Sequence, residues 1–414
     1  MSRGTSEAFF DVVEWCAEQE WSSGKVGLLG ISYFAGTQWR VAARRPKGLA
    51  AIIPWEGMSD YYRDGVRHGG ILSDRFIDFW WTNATKDTAA HRFMDEESSI
   101  EVPLLSVANW GGILLHLRGN VIGWMRASST YKFLRFIVGR HDLPFYYPHS
   151  ARLQLSFLDA FLKDNDYDGW KTGQQPPCPF VSPRAEADWP IPDTQYTKFF
   201  LTTQRTLSKE PDPSPGICTY EALTGTPVTF RYKTPTTMEI TGHILARLTV
   251  SCSRENPNTS PPSDIDLFVT LRKLNADGNE VLYTGTMGDP VPIVKGWLRV
   301  SLRKVNTRHP FHRHYLPYRD YMRGDVQPVK EAQKYQVDVE VWPTNTVLEA
   351  DETLVLEIAG HDTQGVGKFF HEHPVDRDPR AFGGLNHIEV GQESSYLLLP
   401  VIPAREAGNW SPPS

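Results

Sequence analysis

The residues best suited to chemistry lie early in the chain, where an apolar run leads into a Gly-x-Ser turn. Residues 25–29 are mostly apolar, Gly30-Ile-Ser32 follows, and residues 34–45 have the spacing of an amphipathic helix. A strand, a sharp turn and a helix in this order lift a serine hydroxyl above a sheet. The backbone N–H of Tyr33 would stand at the helix N-terminus, where it can bind an oxyanion. The stretch predicts Ser32 as a nucleophile, with a serine that only caps the helix as the alternative.

A nucleophilic serine needs a histidine within hydrogen-bond reach and an acid that orients this histidine. His141 is the predicted base, because it follows the last apolar run of the first part of the chain and Gly139 frees the turn. His116 and His149, both predicted on helices, are weaker candidates. The sequence thus predicts a Ser32–His141 pair.

Four short apolar runs would position these residues. They alternate with amphipathic segments at residues 7–20, 34–45, 113–128 and 150–163, and the runs themselves span residues 25–29, 49–54, 102–107 and 133–139. This alternation predicts a parallel α/β sheet whose catalytic loops follow the carboxyl ends of the strands.

The composition changes twice along the chain. Residues 61–100 are rich in aromatic and charged side chains and predict a helical cap that walls a substrate pocket, with an ordinary pair of helices covering the sheet as the alternative. Residues 173–195 are rich in proline and glycine and predict a linker.

Short strands with turn signals dominate the rest of the chain, residues 196–414. The predicted strands cover residues 199–202, 228–232, 238–251, 265–273, 280–285, 296–302, 335–342, 353–360 and 395–399. Strands of this kind without a long helix predict a β-sandwich of jelly-roll type.

Several motifs occur in the order known from one family. They are Gly30-Ile-Ser-Tyr33 with Thr37-Gln38-Trp39, Tyr61-Tyr62-Arg63-Asp64, the strand that leads to His141, Gly296-Trp297-Leu298-Arg299-Val-Ser301 and Trp342-Pro343-Thr344. Together they resemble the X-Pro dipeptidyl-peptidase and cocaine esterase (CocE/NonD) family of serine hydrolases, over nearly the whole chain.

The resemblance implies an α/β-hydrolase domain over residues 1–172 with its cap at about 61–100, a linker at 173–195 and a jelly-roll domain over 196–414. It implies cleavage of esters or amides through an acyl-enzyme, with Ser32 as nucleophile, His141 as base and the N–H of Tyr33 as an oxyanion donor. It also implies strands before the elbow, so that this chain is expected to be an N-terminally shortened member. The alternatives are an acyltransferase that uses the same residues and a binding protein that has lost catalysis.

The acid departs from the family pattern, in which an aspartate stands where this chain has Gly112. Some α/β-hydrolases take the acid from the strand that follows the nucleophile, and Glu56 ends that strand here. We therefore predict Glu56 as the acid, with Asp60 second and Asn109 as a neutral orienter of the histidine. The alternative is that Glu56 caps the next helix or binds Arg63.

The overall composition and net charge indicate which classes of partner to expect. The 414 residues carry 43 Lys and Arg against 49 Asp and Glu, a formal net charge of −6, which does not favour nucleic acid or an anionic membrane as partner. We expect a cytoplasmic protein that acts on a small ester or peptide, with a homo-oligomer left open. Its four cysteines, Cys16, Cys178, Cys218 and Cys252, form no CxxC pair, which favours ordinary thiols.

Two histidine-rich stretches, His309-Pro-Phe-His312-Arg-His314 and His371-Glu-His373, could bind a metal. We predict solvated loop histidines there, because a metal site needs ligands held by fixed elements. No metal and no cofactor are predicted.

Overall fold

The computed structural model describes residues 3–76, 99–173 and 184–404. A parallel α/β region comes first and a large antiparallel all-β region follows, so the predicted fold class is confirmed. The exact domain boundaries stay predictions.

The first region is a parallel sheet with helices on both faces. Its strands are β1 (Val26–Ile31), β2 (Leu49–Trp55), β5 (Leu104–Asn109) and β6 (Lys132–Ile137), and a hairpin of β3 (Arg67–His68) and β4 (Ile71–Leu72) stands apart from them. The helices are α1 (Arg3–Glu18), α2 (Tyr33–Ala43), α3 (Leu117–Arg126) and α4 (Pro148–Leu162). The sheet order among the described residues is β1-β2-β5-β6.

The apolar runs form strands because both faces of the sheet are covered. Ile52 on β2 packs in a core that includes Leu104 and Trp39 of α2. Its neighbour Ile53 points to the opposite face, into a second core with Phe157 of α4. Successive residues of a strand face opposite sides, so an unbroken apolar run is what a doubly covered strand requires.

Parallel pairing brings the carboxyl ends of the strands to one edge of the sheet. Ile31 pairs with Trp55, Trp55 with Val107, and Asn109 with Ile137. The residues that follow these positions, Ser32, Glu56 and the loop to His141, therefore meet at that edge. The edge is where open α/β sheets bind ligands.

Part of the predicted cap lies outside the described residues. Residues 77–98 of the cap, which include Phe79, Trp80, Trp81 and Phe93, are outside the described residues. Residues 174–183 of the linker, which include Cys178, are outside them as well. The described part holds a π-helical turn at Tyr62–Val66. Phe76, within the predicted cap, is buried and stacks on Phe369 of the all-β region, with ring centroids 4.5 Å apart.

The second region is antiparallel. Its strands are β7 (Gln195–Leu201), β8 (Leu207–Ser208), β9 (Gly216–Glu221), β10 (Val228–Lys233), β11 (Met238–Ser253), β12 (Asp266–Leu274), β13 (Glu280–Val281), β14 (Tyr283–Thr284), β15 (Pro290–Val291), β16 (Val294–Arg299), β17 (Tyr335–Leu348), β18 (Thr353–Ala359), β19 (Leu385–Val390) and β20 (Tyr396–Ile402). A short helix, α5 (Pro379–Phe382), precedes β19. The main path in the described residues is β10-β18-β12-β16-β17-β11-β20-β7-β8, and β19 joins β9 to β11.

The all-β region contacts the edge of the first sheet through the loop after β14. The backbone N–H of His141 donates to the carbonyl of Thr286 at 3.2 Å. A Cβ added to Gly111 would lie 1.8 Å from the carbonyl oxygen of Thr284, so only glycine fits there. This contact fixes two loops of the catalytic edge from the outside.

Candidate active site

Ser32 lies in the strained turn expected of a nucleophile elbow. Its φ of 59° and ψ of −119° are unusual for a residue other than glycine. The turn needs small neighbours, since a Cβ on Gly30 would come within 2.7 Å of Phe34 Cβ, and one on Gly57 within 2.3 Å of Ala35. Ser32 occupies the N-cap position of α2, but its side chain makes no capping hydrogen bond. The capping alternative is therefore not what the structure shows.

The backbone of Ser32 is tied to the next strand. Its N–H donates to the carbonyl of Glu56 at 3.0 Å, and its carbonyl accepts from the N–H of Gly36 at 2.9 Å. Tyr33 is the first residue of α2, so its N–H lies at the helix N-terminus. The elbow thus offers a hydroxyl and a helix N-terminus side by side.

Glu56 is fully buried directly after β2 and faces the predicted base. Its Oε2 lies 3.1 Å from Nδ1 of His141, and its Oε1 accepts from Nδ2 of Asn109 at 3.2 Å. Burial raises the pKa of the Glu56 carboxyl, and the hydrogen bond from His141 opposes this rise. The carboxyl group of Glu56 therefore lies buried between Nδ1 of His141 and Nδ2 of Asn109.

His141 enters the site from the turn after β6. Gly139 has a φ of 121°, a conformation that favours glycine, and its carbonyl accepts from Nδ2 of Asn109 at 2.7 Å. The ring of His141 stacks on that of His116, with centroids 4.7 Å apart and planes at 22°. His141 thus contacts Glu56 through Nδ1 and His116 through the face of its ring.

His116, the weaker candidate in the sequence, lies within reach of the serine hydroxyl. Its Nε2 lies 3.4 Å from Oγ of Ser32. Burial, with a smaller effect of His141, lowers its pKa well below the usual value, and its Nδ1 has no hydrogen-bond partner among the described residues. No motif marks His116, because it reaches the serine through an irregular turn in which Leu114 has a φ of 80°.

The second-choice residues have other partners in the structure. Asp60 forms a buried ion pair with Arg63. Burial tends to raise the pKa of Asp60, but the charges of Arg63 and Arg118 together lower it. Arg63 therefore binds Asp60 and not Glu56. Asn109 contacts the carboxylate of Glu56, not the ring of His141. His149 packs against Tyr147 at the start of α4.

Gly112 lies beside the carboxylate of Glu56. A Cβ added to Gly112 would be 3.7 Å from Oε2 of Glu56. A side chain at position 112 would therefore point to the place where Glu56 presents its carboxylate. Glu56 occupies the region that an acid at position 112 would reach.

Histidines of both stretches pack against neighbouring side chains, and the prediction of solvated histidines is wrong for His371. His309 stacks on Tyr318 at 3.5 Å, and His371 is buried between Asp362 and His68. The described part of the chain holds no group of three or more side chains able to bind a metal ion. In the same part, no helix is long and apolar enough to cross a membrane.

Comparison with known proteins agrees with this architecture. The profile of the X-Pro dipeptidyl-peptidase C-terminal non-catalytic domain matches residues 164–398, and that of the X-Pro dipeptidyl-peptidase (S15 family) matches residues 1–109. This chain belongs to the CocE/NonD and X-Pro dipeptidyl-peptidase family. The predicted membership is confirmed, and the family is one of serine hydrolases and esterases.

Individual relatives and solved structures show how far the likeness extends. A CocE/NonD family hydrolase from Staphylococcus aureus superimposes with a TM-score of 0.85 at 27% identity, over 97% of this chain and 76% of that one. Cocaine esterase from Rhodococcus is 43% identical over 71 residues, which are 17% of this chain and 12% of that esterase. An aminopeptidase from a marine sediment archaeon shares the fold, with a TM-score of 0.69 at 12% identity over 96% of this chain and 80% of that one.

Proposed function

We propose that this protein hydrolyses an ester or amide bond through an acyl-enzyme on Ser32, with His141 as general base and Glu56 as the acid that orients it. The observation that carries the proposal is the 3.1 Å contact between Nδ1 of His141 and Oε2 of Glu56, at the strand edge that also bears Ser32. The order of the three residues in the chain is Ser32, Glu56, His141. This is the order of nucleophile, acid and histidine in α/β-hydrolases.

Each residue has one task in this mechanism. Ser32 attacks the carbonyl carbon, and Nε2 of His141 takes the hydroxyl proton and later returns it to the leaving group. Glu56 accepts the Nδ1–H of His141, which fixes the tautomer and stabilises the imidazolium. The N–H of Tyr33 stabilises the oxyanion.

Ser32 Oγ faces His116 in the resting structure, so the attack needs a rotation about the Cα–Cβ bond. The two imidazole rings are stacked 4.7 Å apart, so both lie on the same side of the elbow. In this mechanism a change of the Ser32 rotamer moves Oγ from the ring of His116 towards that of His141. Hydrogen bonds of unliganded catalytic sites often tighten only when substrate binds.

The surroundings of the serine favour an acyl group with apolar character. Phe34 follows the elbow and is 69% exposed, and Leu143 and Tyr146 in the loop after His141 are 47% and 72% exposed. Exposed apolar side chains in the segments that carry the proposed nucleophile and base are typical of ligand-binding surfaces. We therefore propose small acyl esters as the first substrates to test, with X-prolyl anilides as the amide counterpart.

The test is hydrolysis of p-nitrophenyl butyrate and of Ala-Pro-p-nitroanilide by the wild type and by Ser32→Ala. We expect turnover of at least one substrate and its loss in Ser32→Ala, with an unchanged melting temperature. Turnover that persists in Ser32→Ala would remove Ser32 from the mechanism.

The two other functions give different results in the same assay. An acyltransferase would give mostly transfer product when a primary alcohol is added, and a hydrolase mostly the free acid. A folded wild type without turnover, which still binds one of the substrates, would point to a binding protein.

A further inference from the structure

We propose that His116 is an oxyanion donor, whose Nε2–H binds the negative oxygen formed when Ser32 attacks a carbonyl. The proposal rests on the hydrolase function given above and adds a catalytic residue to it. It starts from the approach of Nε2 of His116 to Oγ of Ser32, at 3.4 Å. A histidine so placed is either a base or a donor.

His116 is poorly suited to be the base. Its Nδ1 is buried and has no hydrogen-bond partner among the described residues, so no acceptor would stabilise the second proton of an imidazolium. His141, in contrast, has the carboxylate of Glu56 on its Nδ1. A buried cation without a counter-charge is costly, so the proton of Ser32 goes to His141.

His116 is well suited to be a neutral donor. Burial lowers its pKa well below the usual value, so the ring is neutral at neutral pH. A neutral imidazole carries one N–H, and in folded proteins a buried acceptor without a partner is less rare than a buried N–H without one. The proton therefore belongs on Nε2, facing Ser32, and the unpartnered Nδ1 is the acceptor. A neutral histidine that polarises a carbonyl is a known catalytic device.

The backbone and the neighbouring ring hold His116 in place. It is 1% exposed and directly precedes α3, with its N–H bonded to the carbonyl of Gly112 at 3.2 Å. Its carbonyl accepts from the N–H of Asn120 at 3.1 Å, and its ring lies against His141. A donor fixed in advance loses little free energy to reorganisation when the charge develops.

Acylation of Ser32 needs no reactant besides the substrate. The hydroxyl proton of Ser32 passes to Nε2 of His141 as the Oγ–C bond forms, and the π electrons of the carbonyl move onto its oxygen. This oxygen accepts from the N–H of Tyr33 and from Nε2–H of His116, which keeps its proton. When the carbonyl re-forms, the bond to the leaving group breaks, and the leaving group takes the proton from His141.

The experiment compares His116→Phe, which keeps a planar ring without a donor, with His116→Gln, which keeps an N–H. Each is measured for p-nitrophenyl butyrate hydrolysis and for inhibition by an aryl boronic acid, whose adduct with serine mimics the tetrahedral intermediate. We expect His116→Phe to lower kcat about 10²- to 10³-fold with little change in KM. Inhibition by the boronic acid should weaken by a similar factor, and His116→Gln should recover at least about tenfold of the lost kcat.

The same data separate a donor from a base, from a structural role and from a failed assignment of function. A donor leaves the pH midpoint of kcat/KM unchanged in His116→Gln, whereas a change of the midpoint would make His116 the base. Equal losses in the two variants, or full kcat in a folded His116→Phe, would overturn the donor role while Ser32-dependent turnover still upheld the hydrolase. A wild type without Ser32-dependent turnover would overturn both.

Discussion

Oε2 of Glu56 lies 3.1 Å from Nδ1 of His141, although the two residues follow strands that are separated in the sheet by β5. Asn109, the last residue of β5, bridges the gap by bonding both Glu56 and the carbonyl of Gly139. Glu56, Asn109 and His141 thus come from three adjacent strand ends. Glu56 thus supplies a carboxylate in a chain that has Gly112 where the family pattern has an aspartate.

Glu56→Gln should separate activity from stability. The amide keeps the shape but cannot stabilise an imidazolium, so we expect kcat to fall by about 10³- to 10⁴-fold. Burial raises the pKa of Glu56 in the folded protein, so the wild type loses stability as pH rises through that pKa, and the variant does not. The melting temperature of the variant relative to that of the wild type should therefore be higher at pH 8 than at pH 5. A variant that keeps its kcat would exclude Glu56 as the acid.

An aspartate at position 112 should partly replace Glu56. In Glu56→Ala the carboxylate is gone and space opens beside Gly112, whose added Cβ would point there. We expect Glu56→Ala/Gly112→Asp to recover about tenfold or more of the kcat/KM lost in Glu56→Ala, because the new carboxylate can reach His141. Glu56→Ala/Gly112→Asn has the same size without the charge and should recover nothing. Equal values for the two double variants would argue against this relationship.

The loop of the all-β region should be needed for activity. Gly111→Ala places a methyl group 1.8 Å from the carbonyl oxygen of Thr284, so one of the two loops must move. Thr286 in the same loop holds the backbone of His141, and a shift of about 1 Å in a catalytic group can cost roughly 10²-fold in rate. Gly324→Ala, whose Cβ meets open space, is the matched control and should behave as the wild type. Steady-state kinetics and thermal melting of both variants test this, and an active Gly111→Ala would contradict it.

Acid should destabilise the contact between the two regions through His68. His68 is buried, and its ring stacks on that of Trp297. Its Nδ1 lies 2.8 Å from Nε2 of His371. Burial lowers the pKa of His68 to about 3, against about 6.5 in an unfolded chain. The stability that neutral His68 contributes is complete above pH 6.5 and is lost as pH falls towards 3, by about 1.4 kcal/mol per pH unit.

The measurement is urea unfolding at pH 7.5 and 5.0. His68→Phe should be less stable than the wild type at pH 7.5, but should lose about 2 kcal/mol less between the two pH values. His314→Gln is the control, because this side chain is exposed and should leave the pH dependence of unfolding as it is. An equal acid loss in His68→Phe and the wild type would show that His68 is not responsible.

Local patterns carried much of the fold. Each apolar run of the first part became a strand within a few residues of its predicted bounds, because a doubly covered strand needs unbroken apolar side chains. In the second part, β9 and β19 were not predicted, although Cys218 and Tyr220 on β9 alternate with exposed neighbours. These two strands pair across a long stretch of sequence, and such pairing leaves only a weak local signal.

The site was predictable where it depends on strand ends. Glu56 and His141 each follow a strand, and parallel pairing alone brings them to one edge, so the sequence could name both; their catalytic roles stay predictions. The approach of His116 to Ser32 was not predictable, since it depends on the backbone turn at Leu114. The hydrogen bond from the N–H of His141 to the carbonyl of Thr286 was not predictable either, because it joins two regions far apart in sequence.

The central claim is that Ser32 is activated by His141 and Glu56 acting together. The most direct measurement is the rate of labelling by a fluorophosphonate probe, which reacts with an activated serine whatever the natural substrate. We expect the wild type to be labelled at Ser32 by peptide mapping, Ser32→Ala to remain unlabelled, and His141→Gln and Glu56→Gln to be labelled at least about 10²-fold more slowly. Labelling of Ser32 at the wild-type rate in folded His141→Gln or Glu56→Gln would contradict the account.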